Sequence, residues 1–146
     1  MGSNAVIATQ TEMNIELLEK SFELLAPRGD QLVDRFYDEL FRKHPGVQPL
    51  FAGVDMARQK RHLLGALVLV VANLRSPEKL KAALAPMGRR HQGYGAIAEH
   101  YGAVASTMLS AMAQLAGNQW KDEIESAWSE AFRFIASEML AGYQSA

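Results

Sequence analysis

Apolar residues recur along most of this chain at the spacing of an α-helix. The first apolar stripe consists of Ile15, Leu18, Phe22 and Leu25. Between residues 32 and 41 the apolar positions recur at i, i+1, i+4, i+5, i+8 and i+9, a face wide enough to pack against two neighbouring helices. No stretch of useful length alternates with a period of two. The pattern predicts an all-α protein of six to seven helices.

Capping and turn residues predict where the helices begin and end. Asp30 is expected to cap the second helix, and Asp55 a later helix that runs through Arg75. The last two helices are expected over about residues 98–116 and 119–141, on either side of a short break.

The most apolar run, LLGALVLVVANL at 63–74, is predicted to be a fully buried central helix. Twelve residues are too few to span a bilayer, so we expect no membrane association and a cytoplasmic protein. Residues 1–11 do not resemble a signal peptide and are expected to be a disordered tail or a cloning remnant. No linker or repeat interrupts residues 12–146, which we therefore take as one domain.

Charge and cysteine content exclude several classes of function. Fifteen Lys and Arg against 16 Asp and Glu give a net charge of -1, which provides no electrostatic basis for binding nucleic acid. The chain has no cysteine, which excludes disulfides, iron–sulfur clusters and thiolate-ligated haem. Any metal must therefore be held by histidine, carboxylate, tyrosine or methionine.

His91, in the stretch MGRRHQGYG at 87–95, is the first candidate for chemistry. Helical spacing from Met87 puts it on the apolar edge of its helix, where an imidazole beside an apolar pocket can ligate haem iron. A core histidine with a satisfied hydrogen bond is the simpler alternative. Gly93 and Gly95 follow, and glycines permit a sharp exit from the helix and close backbone approach.

Several segments, in order and over nearly the whole chain from about residue 12, resemble the globins. The resemblance is closest to bacterial single-domain globins and to the globin domain of flavohaemoglobins. It rests on FYDELFRKHPGVQPLF (36–51), QKRHLLGALVLVVANL (59–74), MGRRHQGYG (87–95), HY (100–101) and AWSEAF (127–132). It implies a globin fold of six to seven helices around a pocket for haem b, that is, iron protoporphyrin IX.

On the proximal side of that pocket the resemblance assigns His91 as the iron ligand. Arg90 would meet a haem propionate, although a solvated helix end explains this arginine equally well. Tyr101, ten residues after His91, matches a tyrosine that lines the proximal side in flavohaemoglobin-like globins. Three further residues are expected to contact the haem: Met87, Ile97 and Val104.

On the distal side Tyr37 matches the tyrosine whose hydroxyl faces the bound diatomic ligand, and Phe51 the phenylalanine that stacks on the porphyrin. Gln59, Leu63 and Asn73 reproduce the family's spacing of a distal glutamine, a leucine four residues later and an asparagine fourteen residues later. An alternative frame takes His62 as the distal residue, since it lies 29 residues before His91, as in myoglobin. That frame would turn Asn73 inward, so we favour Gln59, with Leu63 above the iron and His62 at the solvent edge near a propionate.

The sequence departs from flavohaemoglobins in its last helix. There a late glutamate pairs with the proximal histidine and tyrosine and strengthens electron donation by the imidazole. After Trp128 this chain offers Glu130 and Glu138, then Tyr143, and no later carboxylate side chain. The chain also stops at Ala146, so we expect any reductase to be a separate protein.

The resemblance leads to three functional hypotheses. The first is a haem protein, a monomer or homodimer, that binds O2 or NO reversibly at a five-coordinate iron, with slow release of O2. The second is a nitric oxide dioxygenase that converts NO to nitrate with a separate reductase. The third is a haem-free helical sensor or interaction domain, which His91, Tyr37 and Phe51 together argue against.

Overall fold

The computed structural model describes residues 13–144, and within them the protein is all-helical, as predicted. The six α-helices are α1 (Ile15–Leu25), α2 (Gly29–Lys43), α3 (Met56–Ala72), α4 (Pro77–Gly93), α5 (Ala98–Ala116) and α6 (Asp122–Ala141). Three short 3-10 segments join them, at Ala26–Arg28, Pro45–Phe51 and Gly117–Gln119. The predicted tail, residues 1–11, lies outside the described residues.

Several predicted helix boundaries are wrong by a few residues. The second helix begins at Gly29, so Asp30 lies in its first turn and is not its cap. A carboxylate in the first turn still interacts favourably with the helix dipole. Asp55 does cap α3, accepting a hydrogen bond from the Arg58 amide, but the helix ends at Ala72 and does not continue through Arg75.

The prediction of a fully buried helix over 63–74 is also wrong. Leu67 and Val70 are buried, whereas Val68 is 49% exposed and Leu69 39% exposed. The physical reason is that α3 packs on α1 and α2 through one face only. Hydropathy alone does not indicate whether a neighbour covers the opposite face. No helix within residues 13–144 is both long and apolar enough to cross a membrane.

The core joins the first helix to the last. Trp128 of α6 is 1% exposed and packs against the rings of Phe22 and Phe132. Its indole Nε1 donates a hydrogen bond to the Ser21 hydroxyl at 2.9 Å. Because a buried N–H without a partner is costly, this bond lets a large aromatic residue occupy the centre of the protein.

Helices α4 and α6 approach each other more closely than side chains would allow. A Cβ atom added to Gly88 of α4 would overlap the Met139 carbonyl of α6. A Cβ atom added to Gly142, at the end of α6, would likewise overlap the Ala85 carbonyl. Glycine at both positions therefore brings the two backbones into direct contact, and this contact determines where the end of α6 lies.

Candidate functional site

A buried tyrosine and a glutamine from neighbouring helices form the first part of the site. Tyr37 lies on the inner face of α2 and is 4% exposed. Gln59, in the first turns of α3, donates from Nε2 to the Tyr37 hydroxyl at 3.0 Å. Burial raises the pKa of the Tyr37 phenol, and the bond from Gln59 offsets this only in part. The phenol therefore stays protonated at neutral pH, and its own proton remains available for another acceptor.

Aromatic rings hold Tyr37 in place. Its ring lies edge-on to Phe51 at 5.6 Å between centroids, and to Phe36 at 4.9 Å. Phe41 contacts both Tyr37 and Phe51, at 5.8 and 5.3 Å. Edge-to-face contacts of this kind stabilise defined ring orientations. Phe51 itself is half-buried at the end of the Pro45–Phe51 segment, beside a cavity of about 430 Å³ that Met56 also lines.

The remaining candidates on this side differ in exposure. Leu63, one turn after Gln59, is half-buried and packs against the core, whereas His62 is exposed. Asn73, at the C-terminal cap of α3, donates from its side chain to the Leu69 carbonyl at 2.8 Å and so bonds to the end of that helix. The structure therefore brings Tyr37, Phe51 and Gln59 together and leaves His62 at the surface.

His91 in the last turn of α4 forms the second part of the site. Its Nδ1 lies 2.8 Å from the Met87 carbonyl. A carbonyl only accepts hydrogen bonds, so Nδ1 carries the proton and Nε2 carries the lone pair. This is the tautomer in which an imidazole binds a metal through Nε2. The rings of Tyr94 and Tyr101 lie 5.9 and 6.4 Å from the imidazole.

Tyr101, whose ring lies near His91, forms a hydrogen bond through its hydroxyl with a second tyrosine, Tyr143. The Tyr101 and Tyr143 oxygens are 2.9 Å apart, and the Tyr143 hydroxyl also donates to the Ala96 carbonyl at 2.8 Å. Burial, followed by the bond with Tyr143, raises the pKa of the Tyr101 phenol. Sequence reasoning noted Tyr143 only as the residue beyond the last carboxylate and missed this contact. The available signal was its place near the end of α6, where the family resemblance calls for a glutamate.

Three residues expected at this side are exposed to different degrees. Ile97 is 50% exposed and Val104 37% exposed, and Arg90 is exposed with no ion-pair partner within residues 13–144. His100 is half-buried, and its Nδ1 accepts a hydrogen bond from the Ile97 amide at 3.1 Å. It therefore caps the start of α5.

A contact between two turns links the Tyr37 and His91 parts of the site. Gly95 has a φ of 94°, a left-handed conformation that glycine adopts without strain. A Cβ added there would stand 3.3 Å from the Leu50 side chain. Leu50 precedes Phe51, so the corner carrying Phe51 rests against the turn that follows His91. Within residues 13–144, no three His, Asp or Glu side chains cluster to hold a bare metal ion.

Comparison with known proteins shows one consistent likeness. The family model described as Globin matches residues 34–139. The flavohemoprotein of Rhizobium meliloti is 29% identical over 137 residues, covering 92% of this chain but 34% of that protein. The chain therefore spans about a third of the length of the curated relatives it matches.

Solved structures agree with this likeness. An engineered carbene transferase from Rhodothermus marinus, described as a candidate nitric oxide dioxygenase, superposes with a TM-score of 0.76 at 26% identity, covering 88% of this chain and 87% of that one. A flavohemoglobin from Malassezia yamatoensis with bound FAD and heme superposes with a TM-score of 0.75 at 16% identity, covering 92% of this chain and 36% of that one. The second likeness shows the fold alone.

Proposed function

Because this chain belongs to the globin family, we propose that it binds haem b through Nε2 of His91 and uses it to bind O2 reversibly. The observation that carries the proposal is the hydrogen bond from His91 Nδ1 to the Met87 carbonyl, since it presents the Nε2 lone pair on a rigid helix. Haem, when bound, supplies a ferrous iron that takes a diatomic ligand such as O2 or NO.

The residues around His91 fit such a group. Ile97 and Val104 present large, partly exposed apolar side chains on the chain segment that follows His91. A porphyrin is a flat apolar ring, so its binding would remove this apolar surface from water. Phe51 would stack on the ring and Leu63 would lie over it. Arg90, exposed and without an ion-pair partner among residues 13–144, offers a cation for a propionate. Met87 and Tyr101 would complete the wall beside His91.

Tyr37 and Gln59 would control the ligand. Since Gln59 donates to the Tyr37 oxygen, the phenol proton is left for a ligand atom that becomes partly negative. One such hydrogen bond contributes about 0.5–1.5 kcal/mol, which slows ligand escape several-fold. The aromatic rings around Tyr37 exclude water and orient the hydroxyl. The exposure of His62 supports Gln59 over His62 as the distal residue.

A nitric oxide dioxygenase activity is the second candidate. The likeness to the Rhodothermus marinus protein, at 26% identity, favours it, and a buried donor pair would also orient O2 for reaction with NO. Because the chain covers about a third of its flavohemoprotein relatives, electrons would have to come from a reductase outside residues 1–146. Rapid nitrate formation with an added flavin reductase and NADH would support this activity. A stable spectrum under O2 with negligible NO turnover would favour simple binding.

The test is hemin reconstitution of the purified protein, read by the Soret absorbance per protein chain. We expect one haem per chain, and a dithionite-reduced spectrum that changes on exposure to O2 and then remains stable. His91→Ala should lose the haem, whereas His44→Ala, at the junction of α2 and the Pro45–Phe51 segment, should retain it. Equal haem retention in both variants would reject His91 as the ligand. A wild-type protein that binds no hemin would leave only the haem-free interaction domain.

A further inference from the structure

The segment that follows α6 is attached to the last turn of α4, beside His91. Gln92 donates from its side chain to the Gln144 carbonyl at 2.8 Å, and the Gln144 amide donates back to the Gln92 side chain at 2.9 Å. These two bonds form next to His91. Together with the close backbone contact at Gly88 and Gly142, they hold Tyr143 in a defined position.

The directions of the hydrogen bonds around Tyr143 follow from counting protons. A hydroxyl has one proton, and the Ala96 carbonyl only accepts, so the Tyr143 proton is committed to Ala96. The bond between the two hydroxyls must then use the Tyr101 proton, with the Tyr143 oxygen as its acceptor. Tyr101 therefore has no proton left to donate toward His91.

Ala96 connects the Tyr143 hydroxyl to the backbone of His91 through two hydrogen bonds. While its carbonyl accepts from Tyr143, its amide donates to the carbonyl of His91 at 3.0 Å. The backbone at His91 is thus bonded, through Ala96, to Tyr143 in the segment just after α6. The side chain of His91 donates a hydrogen bond from Nδ1 to the Met87 carbonyl. No carboxylate hydrogen-bonds His91 or Tyr101 within residues 13–144.

We propose that Tyr143 is a positioning residue for the proximal ligand. Its hydroxyl accepts a hydrogen bond from Tyr101 and donates one to the Ala96 carbonyl. These bonds fix the backbone at His91, so that the imidazole stays hydrogen-bonded to a neutral acceptor, the Met87 carbonyl. A carbonyl draws the Nδ1 proton less strongly than a carboxylate does, so the imidazole stays a weaker electron donor. A haem iron held by His91 would therefore favour the ferrous state, which suits reversible ligand binding. This inference rests on the proposed function, because it requires haem bound at His91.

The test uses the ferrous, ligand-free, haem-reconstituted protein. Two quantities are measured: the iron–imidazole stretching frequency by resonance Raman and the ferric/ferrous midpoint potential by spectroelectrochemistry. Tyr143→Phe keeps the ring and removes both hydroxyl bonds, so we expect both quantities to change. Tyr143→Glu adds a carboxylate beside Tyr101. It should raise the iron–imidazole stretching frequency and lower the midpoint potential, because a carboxylate makes the imidazole a stronger electron donor.

Two further variants separate positioning from general packing. Tyr94→Phe is the matched control, because this ring also lies near His91, at 5.9 Å, while its hydroxyl makes no hydrogen bond within the described part of the chain. It should leave both quantities unchanged. Tyr101→Phe retains the Tyr143–Ala96 bond and should change them less than Tyr143→Phe does. Circular dichroism and haem stoichiometry establish that each variant is folded and loaded.

The outcomes distinguish this inference from the proposed function. If the wild-type protein takes up no haem, the proposed function fails. If haem binds and both Tyr143 variants give the wild-type frequency and potential, the positioning role of Tyr143 is rejected. An equal response to Tyr94→Phe and Tyr143→Phe would reject it as well, because it would show that any tyrosine near His91 has the same effect.

Discussion

Tyr37 and Tyr101 carry the same hydroxyl on opposite sides of the candidate site, and their hydrogen bonds run in opposite directions. Tyr37 accepts from the Gln59 amide and retains its proton. Tyr101 donates its proton in a hydrogen bond to the Tyr143 oxygen, and Tyr143 donates its own to the Ala96 carbonyl. The partners impose this difference, because an amide nitrogen only donates and a carbonyl only accepts. One tyrosine is available for a ligand, and the other stabilises the protein.

The closeness of helix packing also differs between these two parts of the molecule. On the His91 side, α4 touches the backbone of α6 at Gly88 and Gly142, with no room for a methyl group. On the Tyr37 side, α3 leaves Val68 and Leu69 exposed, and a Cβ added to Gly65 would contact nothing within 4 Å. The contact between α4 and α6 is therefore tightly packed, whereas the outer face of α3 is left uncovered.

The largest effect on this contrast should come from Gly88→Ala. Its Cβ would overlap the Met139 carbonyl, so α4 and α6 must separate, at a cost of about 1–3 kcal/mol or more in the free energy of unfolding. Urea denaturation measures this directly. The matched control is Gly65→Ala, a helical glycine in open space, which should stabilise the protein by about 0.4–1 kcal/mol. Equal effects of the two substitutions would contradict the difference in packing.

The next largest effect should be on ligand release. Tyr37→Phe removes the donated proton and should speed O2 dissociation by about 2- to 12-fold, the rate equivalent of 0.5–1.5 kcal/mol. Stopped-flow displacement of O2 by CO gives the rate. Tyr101→Phe should change that rate less, because the Tyr101 proton is already bonded to Tyr143. A faster rate in Tyr101→Phe than in Tyr37→Phe would reverse our assignment of the two tyrosines.

A smaller effect should separate Gln59 from His62. Gln59→Leu removes the bond to the Tyr37 hydroxyl and should change the O2 dissociation rate by about twofold, the low end for one net hydrogen bond. The exposed His62, replaced by alanine, should have less effect than that. If His62→Ala were the more disruptive variant, the alternative distal frame would be correct.

The last effect should appear only in alkaline solution. Burial raises the pKa of Tyr37 above its ordinary value of 10.0, so above that pH the unfolded chain loses the phenol proton first. The unfolded state then binds fewer protons than the folded state, and the free energy of unfolding falls as pH rises. The contribution should stay below about 1.4 kcal/mol per pH unit, the limit for one group. Urea titrations between pH 9 and pH 11 should show a shallower decline for Tyr37→Phe than for the wild-type protein.

Local sequence patterns predicted the helices well where the apolar residues lie on one face of the helix. The 98–116 prediction matches α5, and the first apolar stripe matches α1. Failures occurred where a distant neighbour decides. The run at 63–74 is apolar all round, and only the arrangement of α1 and α2 leaves Val68 exposed. Arg75 lies beyond α3 because the chain turns at residues 73–75, which periodicity does not detect.

The candidate site divides in the same way. Spacing and family resemblance predicted Tyr37, Phe51 and Gln59 on one side of the site, and in the structure Tyr37 contacts both of the other two side chains. The resemblance also pointed to His91. It did not indicate that the Nδ1 proton would go to the Met87 carbonyl, nor that Tyr143 would stand beside Tyr101, 42 residues away in sequence.

The sequence by itself determined that the chain is helical, that no cysteine chemistry is available, and that its ordered motifs are those of the globin family. These follow from periodicity, composition and ordered motifs, which are properties of residue identity and local spacing. Only the tertiary structure decided the direction of each hydrogen bond at His91, Tyr37 and Tyr101. Each direction depends on which partner lies within about 3 Å: the Met87 carbonyl for His91, the Gln59 side-chain amide for Tyr37, and for Tyr101 the Tyr143 hydroxyl. For the Tyr143–Ala96 bond, the close packing of α4 on α6 at two glycines creates that proximity.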